Sequence, residues 1–419
     1  MDRVRRPVGG RPMSLEESPD DVRARAKRNY KRVKSEVVTE EKRALLADHR
    51  IDDFDSVLLV ASAPRGGSSL LFDILRHHEA TCSLDGEHDR WYELNGICYP
   101  AFDSDVVPAD FDAFDRDALL TDLLAEVGAT DRTGDRTHRV DNTLLRLPLQ
   151  FPGRELPYRE IRDALLDGAS LDGVLGDLGL SPLQYDEYAD RDAERPFGTE
   201  TVEDRPFVTS HDHKRALVAD DFERTLVLKA SGDAYRLPWI RDRLFPETEI
   251  DLVHLTRNPA ASINGLYDGW RLNRGFQTYD VGELDLDGYD GSLWCYDLPP
   301  GWSRQGRLVD VCVTQWARAH RHVLDSRDGF ESVHRVRFED LLTDTRATAA
   351  GILEFAGLDT SALFSEAVGD PNEVMTTAEP RRARWRDRET MVRSALARAD
   401  DPYAGVTREL GYTEESEWI

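Results

Sequence analysis

Apolar residues along the chain fall into two rhythms. Val57 to Ala61 is an unbroken apolar run stopped by Pro64, the pattern of a strand buried on both faces of a parallel sheet. Leu70, Leu71, Ile74 and Leu75 then repeat at helical spacing. The sequence Leu226 to Leu228, Leu237 to Leu244 and Ile250 to Leu255 predicts strand, crossover helix and strand, with turn signals between them. Leu308, Cys312 and Trp316 place one face of a helix over Leu308 to Leu324. A strand followed by an amphipathic helix is predicted over Val333 to Leu358. Strand alternating with helix implies an α/β fold, a parallel sheet flanked by helices.

Two stretches depart from this rhythm. Residues 1–50 read as a tail and a charged helix, roughly Pro19 to His49, ahead of a core domain over 51–419. Between Trp91 and His213 the chain is rich in Asp, Gly, Leu and aromatics with helical patches such as Tyr158 to Leu166, which predicts a mainly helical insertion at about 101–210. A second insertion at about 271–305 follows Trp270 and concentrates Phe276, Tyr279, Tyr289, Trp294, Tyr296 and, at its end, Trp302, rings suited either to sugar stacking or to a small satellite core.

Composition narrows the classes. No apolar run is long enough to span a bilayer and the N-terminus carries no apolar signal core, so a cytoplasmic location is expected. Cys82, Cys98, Cys295 and Cys312 are scattered without metal-ligand or disulfide spacing, and His211 and His213 alternate without a third ligand. A formal net charge of −26 argues against a nucleic-acid partner. Lysine stands only at positions 27, 31, 34, 42, 214 and 229, and arginine supplies the other 48 of 54 cations. An acidic, lysine-poor surface suits a protein kept soluble in concentrated salt, and high genomic GC content depletes lysine as well.

The loop Pro64-Arg65-Gly66-Gly67-Ser68-Ser69 joins the first strand to its helix. Glycines let the backbone approach an anion, the serines add hydroxyl donors, and the unpaired amides of the helix start favour negative charge. A nucleotide kinase would place a lysine directly after the second glycine of its loop, whereas here Gly67 holds that position and the cation, Arg65, comes before the glycines. A second strand end, Arg257, is followed by Asn258, a good N-cap, and Pro259, a good first helical residue.

This order resembles the sulfotransferase family that uses 3′-phosphoadenosine 5′-phosphosulfate (PAPS), in which a Pro-Arg/Lys-Ser-Gly-Thr/Ser-Thr/Ser loop binds the 5′-phosphosulfate. Gly66 replaces the usual serine. The resemblance implies donor binding by Arg65, Gly66, Gly67, Ser68 and Ser69, with the 3′-phosphate held by Arg257 and Ser262. Ser262 lies five residues after Arg257, and the family's usual position, eight after, is Gly265. Phe338 in Arg337-Phe338-Glu339-Asp340-Leu341 stands where the family often has tyrosine. Arg384-Trp385-Arg386 and Leu410-Gly411-Tyr412 are similar to the family's tail, and the arginines of 381–388, Arg384 and Arg386 among them, are expected to close over the nucleotide.

For chemistry, the resemblance implies that the strand-end Lys229, 28 residues before Arg257, supports the leaving phosphate together with Arg65. A compact ammonium approaches a bridging oxygen more closely than a guanidinium does. Cytosolic sulfotransferases place a histidine two residues after that lysine, where this chain has Ser231. Tyrosylprotein sulfotransferases place a glutamate in a Gly-Glu context, and Gly86-Glu87-His88 falls in the matching region, Glu87 being 22 residues after Arg65. Glu87 is therefore the expected base, with His88 as its alternative. The implied function is sulfuryl transfer from PAPS to a hydroxyl of a carbohydrate, glycolipid or small metabolite, with no metal expected. A small-molecule kinase and a non-catalytic nucleotide- or glycan-binding protein are the other readings of these residues, and oligomeric state is left open.

Overall fold

The computed structural model describes residues 19–97, 102, 104–152, 154–180, 213–272, 284–287, 289, 297–299, 302–364, 382–399 and 402–413. Its centre is a seven-stranded sheet built from β1 (Ser56–Ser62), β2 (Thr81–Ser83), β3 (Gly128–Thr130), β4 (Lys214–Arg215), β5 (Thr225–Lys229), β6 (Glu249–Thr256) and β9 (Ser332–Arg337), in the spatial order β4-β3-β2-β5-β1-β6-β9. The strands β2, β5, β1, β6 and β9 run parallel, and β3 and β4 add an antiparallel edge. Two residues each of β7 (Asp285–Leu286) and β8 (Gln305–Gly306) pair apart from this sheet.

Burial follows the apolar pattern. Every β1 residue from Val57 to Ser62 is buried, as is all of β5, because helices cover both faces of the parallel sheet. One face packs Leu58, Val60, Val227 and Val253 against Leu71, Ile74 and Leu75 of the helix Ser68–Leu75. The other joins Val57, Leu59 and Leu252 to Trp316 and Val323 of the helix Leu308–Ser326.

The charged N-terminal stretch is two helices, Pro19–Arg32 and Glu40–Asp48, separated by a wide turn at Val33–Val37, the second capped at its start by the Thr39 side chain. Tyr30, Val33 and Leu46 are buried in the same apolar cluster as Trp91 and Leu144, so these helices close one side of the core. The stretch between Trp91 and His213 contributes the helices Arg116–Leu124, Arg136–Gln150, Tyr158–Leu166 and Leu171–Asp177. It also returns β3 to the central sheet, a three-residue strand too short to carry a readable alternation. Tyr289 packs edge-on against Trp270 at 5.2 Å and both are buried, so these two rings are core residues. Phe276, Tyr279, Trp294, Tyr296, Cys98, Cys295 and His211 lie outside the described residues. Cys82 and Cys312 are buried thiols whose pKa values burial pushes up. No helix among the described residues is long and apolar enough to cross a membrane.

Candidate active site

Three neighbouring parallel strands, β5, β1 and β6, end side by side, and the loops leaving their C-terminal ends carry most of the candidate residues. Register puts Lys229 opposite Val60 and Leu255 opposite Ser62, so Lys229, the 63–69 loop and Arg257 share one edge of the sheet. In an open parallel sheet this edge is where ligands bind.

The loop is shaped by backbone constraints. Arg65 adopts φ +61° and Gly67 φ +95°, both left-handed, a conformation that only glycine takes at little cost. The Gly66 amide donates to Ala63 O at 2.9 Å, and a Cβ on Gly66 would lie 2.7 Å from that same oxygen. Glycine at position 66 is thus required by the turn, which leaves no room for the serine usual there. A Cβ on Gly67 would fall 2.2 Å from the Phe338 ring. Phe338 therefore seals one wall of the loop, and it opens a helix, Phe338–Thr343, directly after β9. Ser68 is buried at the start of the helix Ser68–Leu75.

Beside the loop lies a chain of polar groups. The Lys229 ammonium donates to Glu87 Oε1 at 2.7 Å and to Ser69 Oγ at 3.0 Å, and Ser231 Oγ donates to Glu87 Oε2 at 3.2 Å. Lys229 and Glu87 are both buried, at 2% and 8% exposure, so the pair is largely withdrawn from water and strongly coupled. His88 turns away. Its Nε2 meets Asp233 Oδ1 at 2.9 Å, Asp233 Oδ2 accepts the Ala230 amide at 2.7 Å, and the ring lies edge-on to Tyr92. Burial opposes a charged imidazole here, but the charge and hydrogen bond of Asp233 outweigh it and hold the His88 pKa above its ordinary value.

Across the loop, Arg257 donates from Nη1 to Arg65 O at 3.1 Å and stacks its guanidinium 4.6 Å from the centre of the Phe338 ring. Burial, together with the like charges of Arg65 and Arg384, pulls the Arg257 pKa down to about 10 despite the opposing Glu339. Asn258 caps the next helix through its side chain, which accepts from the Ala261 amide at 2.8 Å, and Pro259 opens the helix Pro259–Leu272. Glu339 fixes this strand end: Oε1 accepts both the Asn258 amide and its side-chain Nδ2 at 2.9 Å, and Oε2 accepts from the Tyr412 hydroxyl at 2.9 Å.

Ser262, fully buried on that helix, has a hydroxyl with no hydrogen-bond partner among the described residues. A Cβ on Gly265 would touch Arg65 Cβ at 3.3 Å, so the absence of a side chain at 265 lets the loop arginine lie against the helix. Arg384 reaches the buried Asp268 at 2.6 Å and Arg388 pairs with the same carboxylate at 2.7 Å. Arg386 is exposed, flanking the Trp385 ring at 5.0 Å and Glu389 at 3.7 Å. Arg381 lies outside the described residues.

Several members of the site escaped the sequence reading. Ser231 was weighed only as a missing histidine, although a hydroxyl two residues beyond a strand-end lysine can still reach that lysine's partner. Glu339 and Tyr412 lay inside motifs read for other residues. Lys214, one of the six lysines, is buried at an edge strand, so lysine scarcity marks structural ammonium sites as well as Lys229.

No family model matches the chain, and no curated protein does. Among solved structures, the sulfotransferase domain of the olefin synthase from Synechococcus PCC 7002 matches with 13% identity and a TM-score of 0.37, over 88% of this chain and 98% of its own. The sulfotransferase domain from the curacin biosynthetic pathway matches with 12% identity and a TM-score of 0.37, over 85% and 98%. A sulfotransferase from Mycobacterium tuberculosis H37Rv matches with 13% identity and a TM-score of 0.34, over 91% and 98%.

Proposed function

We propose that this chain is a sulfotransferase that moves a sulfuryl group from PAPS to an acceptor hydroxyl. The observation that carries the reading is the buried Glu87 to Lys229 to Ser69 chain, which links a carboxylate base to a phosphate-type loop through one ammonium. In a protein of net charge −26, the cluster of Arg65, Arg257 and Arg384 beside that loop supplies the local positive field that a polyanionic donor requires.

The residues divide the work as follows. The amides of Gly66 to Ser69 and Arg65 hold the 5′-phosphosulfate, with Gly66 and Gly67 leaving the approach open. Arg257 and the Ser262 hydroxyl, which has no hydrogen-bond partner among the described residues, hold the 3′-phosphate, with Arg384 adding charge. Phe338 supports Arg257 from beneath. As the acceptor oxygen bonds to sulfur and the bond from sulfur to the bridging oxygen breaks, Glu87 takes the acceptor proton and Lys229 stabilises the charge left on the phosphate. Lys229 lies between Glu87 and Ser69, so one ammonium can serve both the carboxylate and the loop, and a shift of it toward the phosphosulfate would free the carboxylate for its proton. His88, engaged by Asp233, orders the segment after Glu87. The acceptor class is a hydroxyl of a carbohydrate, glycolipid or small metabolite.

The test is the formation of 3′,5′-adenosine bisphosphate from PAPS with a panel of phenol, sterol and monosaccharide acceptors. Glu87→Gln and Lys229→Ala each lower turnover at least about a hundredfold on this reading. Full turnover in both variants would overturn the assignment of the site.

A further inference from the structure

We infer that Lys214 is a positioning residue for the proposed base, gripping the chain just before Glu87 so that its carboxylate meets Lys229; the inference rests on the reading of Glu87 as that base. Lys214 sits on the edge strand β4, and its side chain runs to the end of β2, where the segment toward Glu87 begins. Its ammonium donates to Ser83 O and Leu84 O at 2.7 Å each and forms an ion pair with Asp85 Oδ1 at 3.0 Å, all on that segment. Asp85 is held from two other directions, and one of its holders, Asn142, is itself held by Lys42. Its Oδ2 accepts from Asn142 Nδ2 at 2.9 Å, Asn142 Oδ1 accepts from Lys42 Nζ at 2.6 Å, and Asp85 O accepts from Arg76 Nη1 at 3.2 Å. Lys42 belongs to the N-terminal helix Glu40–Asp48, and Arg76 directly follows the helix Ser68–Leu75 that begins at the loop. The base segment is thereby tied at once to the loop helix and to the N-terminal helices.

Two physical points favour positioning over simple space filling. Lys214, Asp85 and Asn142 are all within 1% of full burial, so ionic groups stand where an apolar core would cost less. Burial lowers the Lys214 pKa to about 8 against the pull of Asp85, so the ammonium is retained by these contacts and not by solvent. A guanidinium, planar and wider, cannot converge on three acceptors of one tight segment as an ammonium does, which accounts for lysine at this position in a chain that otherwise uses arginine.

The test compares Lys214→Arg, and the charge-neutral pair Lys214→Gln with Asp85→Asn, against wild type and Glu87→Gln. The pair leaves no lone buried charge and serves if Lys214→Arg does not fold. Turnover of PAPS, counted as total 3′,5′-adenosine bisphosphate formed, falls about ten- to a hundredfold, while calorimetric affinity for the bisphosphate stays within about twofold. Adding either change to Glu87→Gln lowers turnover by less than about threefold further, because both act through one carboxylate. Unchanged turnover, loss of bisphosphate affinity in step with turnover, or full additivity with Glu87→Gln overturns the positioning role. Full turnover of Glu87→Gln itself instead removes the base assignment, a separate outcome.

Discussion

Replacing Gly67 by alanine tests how the loop, Phe338 and Arg257 depend on one another. An L-residue at φ +95° costs about 1–2 kcal/mol. The new methyl would stand 2.2 Å from the Phe338 ring, which must move, and overpacking of this kind costs about 1–3 kcal/mol. Together Gly67→Ala loses about 2–5 kcal/mol, a large part of a domain stability of about 5–15 kcal/mol. Arg257 stacks on the same ring, so the displacement also weakens the proposed 3′-phosphate site, by about 0.5–2 kcal/mol or roughly two- to thirtyfold in affinity. Denaturant unfolding and calorimetry with 3′,5′-adenosine bisphosphate measure the two effects. Adding Phe338→Leu removes the clash and recovers about 1–3 kcal/mol of stability without restoring affinity. If Gly67→Ala unfolds within about 0.5 kcal/mol of wild type, the described contact between loop and ring is refuted.

Three further outcomes are expected. Lys229→Met leaves Glu87 buried without its cation and costs about 3–5 kcal/mol, most of which Glu87→Gln in the same chain restores, as thermal unfolding of both variants would read. His88 is held above its ordinary pKa by Asp233, so the pair's contribution is complete below the unfolded histidine value of about 6.5 and fades as pH rises through the folded value; the stability difference between wild type and His88→Gln should shrink from about pH 6.5 upward, and a difference that grows would contradict the pairing. Arg386→Ala, at an exposed arginine flanking Trp385, should leave bisphosphate affinity unchanged and stability within about 0.5 kcal/mol, whereas Arg384→Ala should weaken binding.

The central sheet was legible because its strands are apolar runs bounded by turn residues, as at Val57 to Ala61, and burial on both faces leaves no polar alternation to confuse. The N-cap at Asn258 was legible for a local reason, since capping depends on the residue and its immediate neighbours. β3 and β4 were not, because strands of three and two residues are defined by long-range pairing. The wide turn at Val33–Val37 likewise escaped, since its charged helix gave no breaker residue before Thr39. Within the site, Lys229 stood out by its rarity and strand-end position, and the structure brings Glu87 against it. Which partners Glu87 and His88 take could not be read, because Ser231 and Asp233 lie about 145 positions away and meet them only when β2 and β5 pair. The same holds for Lys214, whose acceptors are backbone carbonyls that no side-chain pattern announces.

In the proposed function this loop serves a sulfuryl donor and not a nucleoside triphosphate. Isothermal titration of the full chain with 3′,5′-adenosine bisphosphate in the absence of divalent metal, beside titration with Mg-ATP, tests it most directly. The expected result is micromolar or tighter binding of the bisphosphate that Arg257→Ala weakens at least about tenfold, with no comparable binding of Mg-ATP. Tight binding of Mg-ATP with no affinity for the bisphosphate would contradict it.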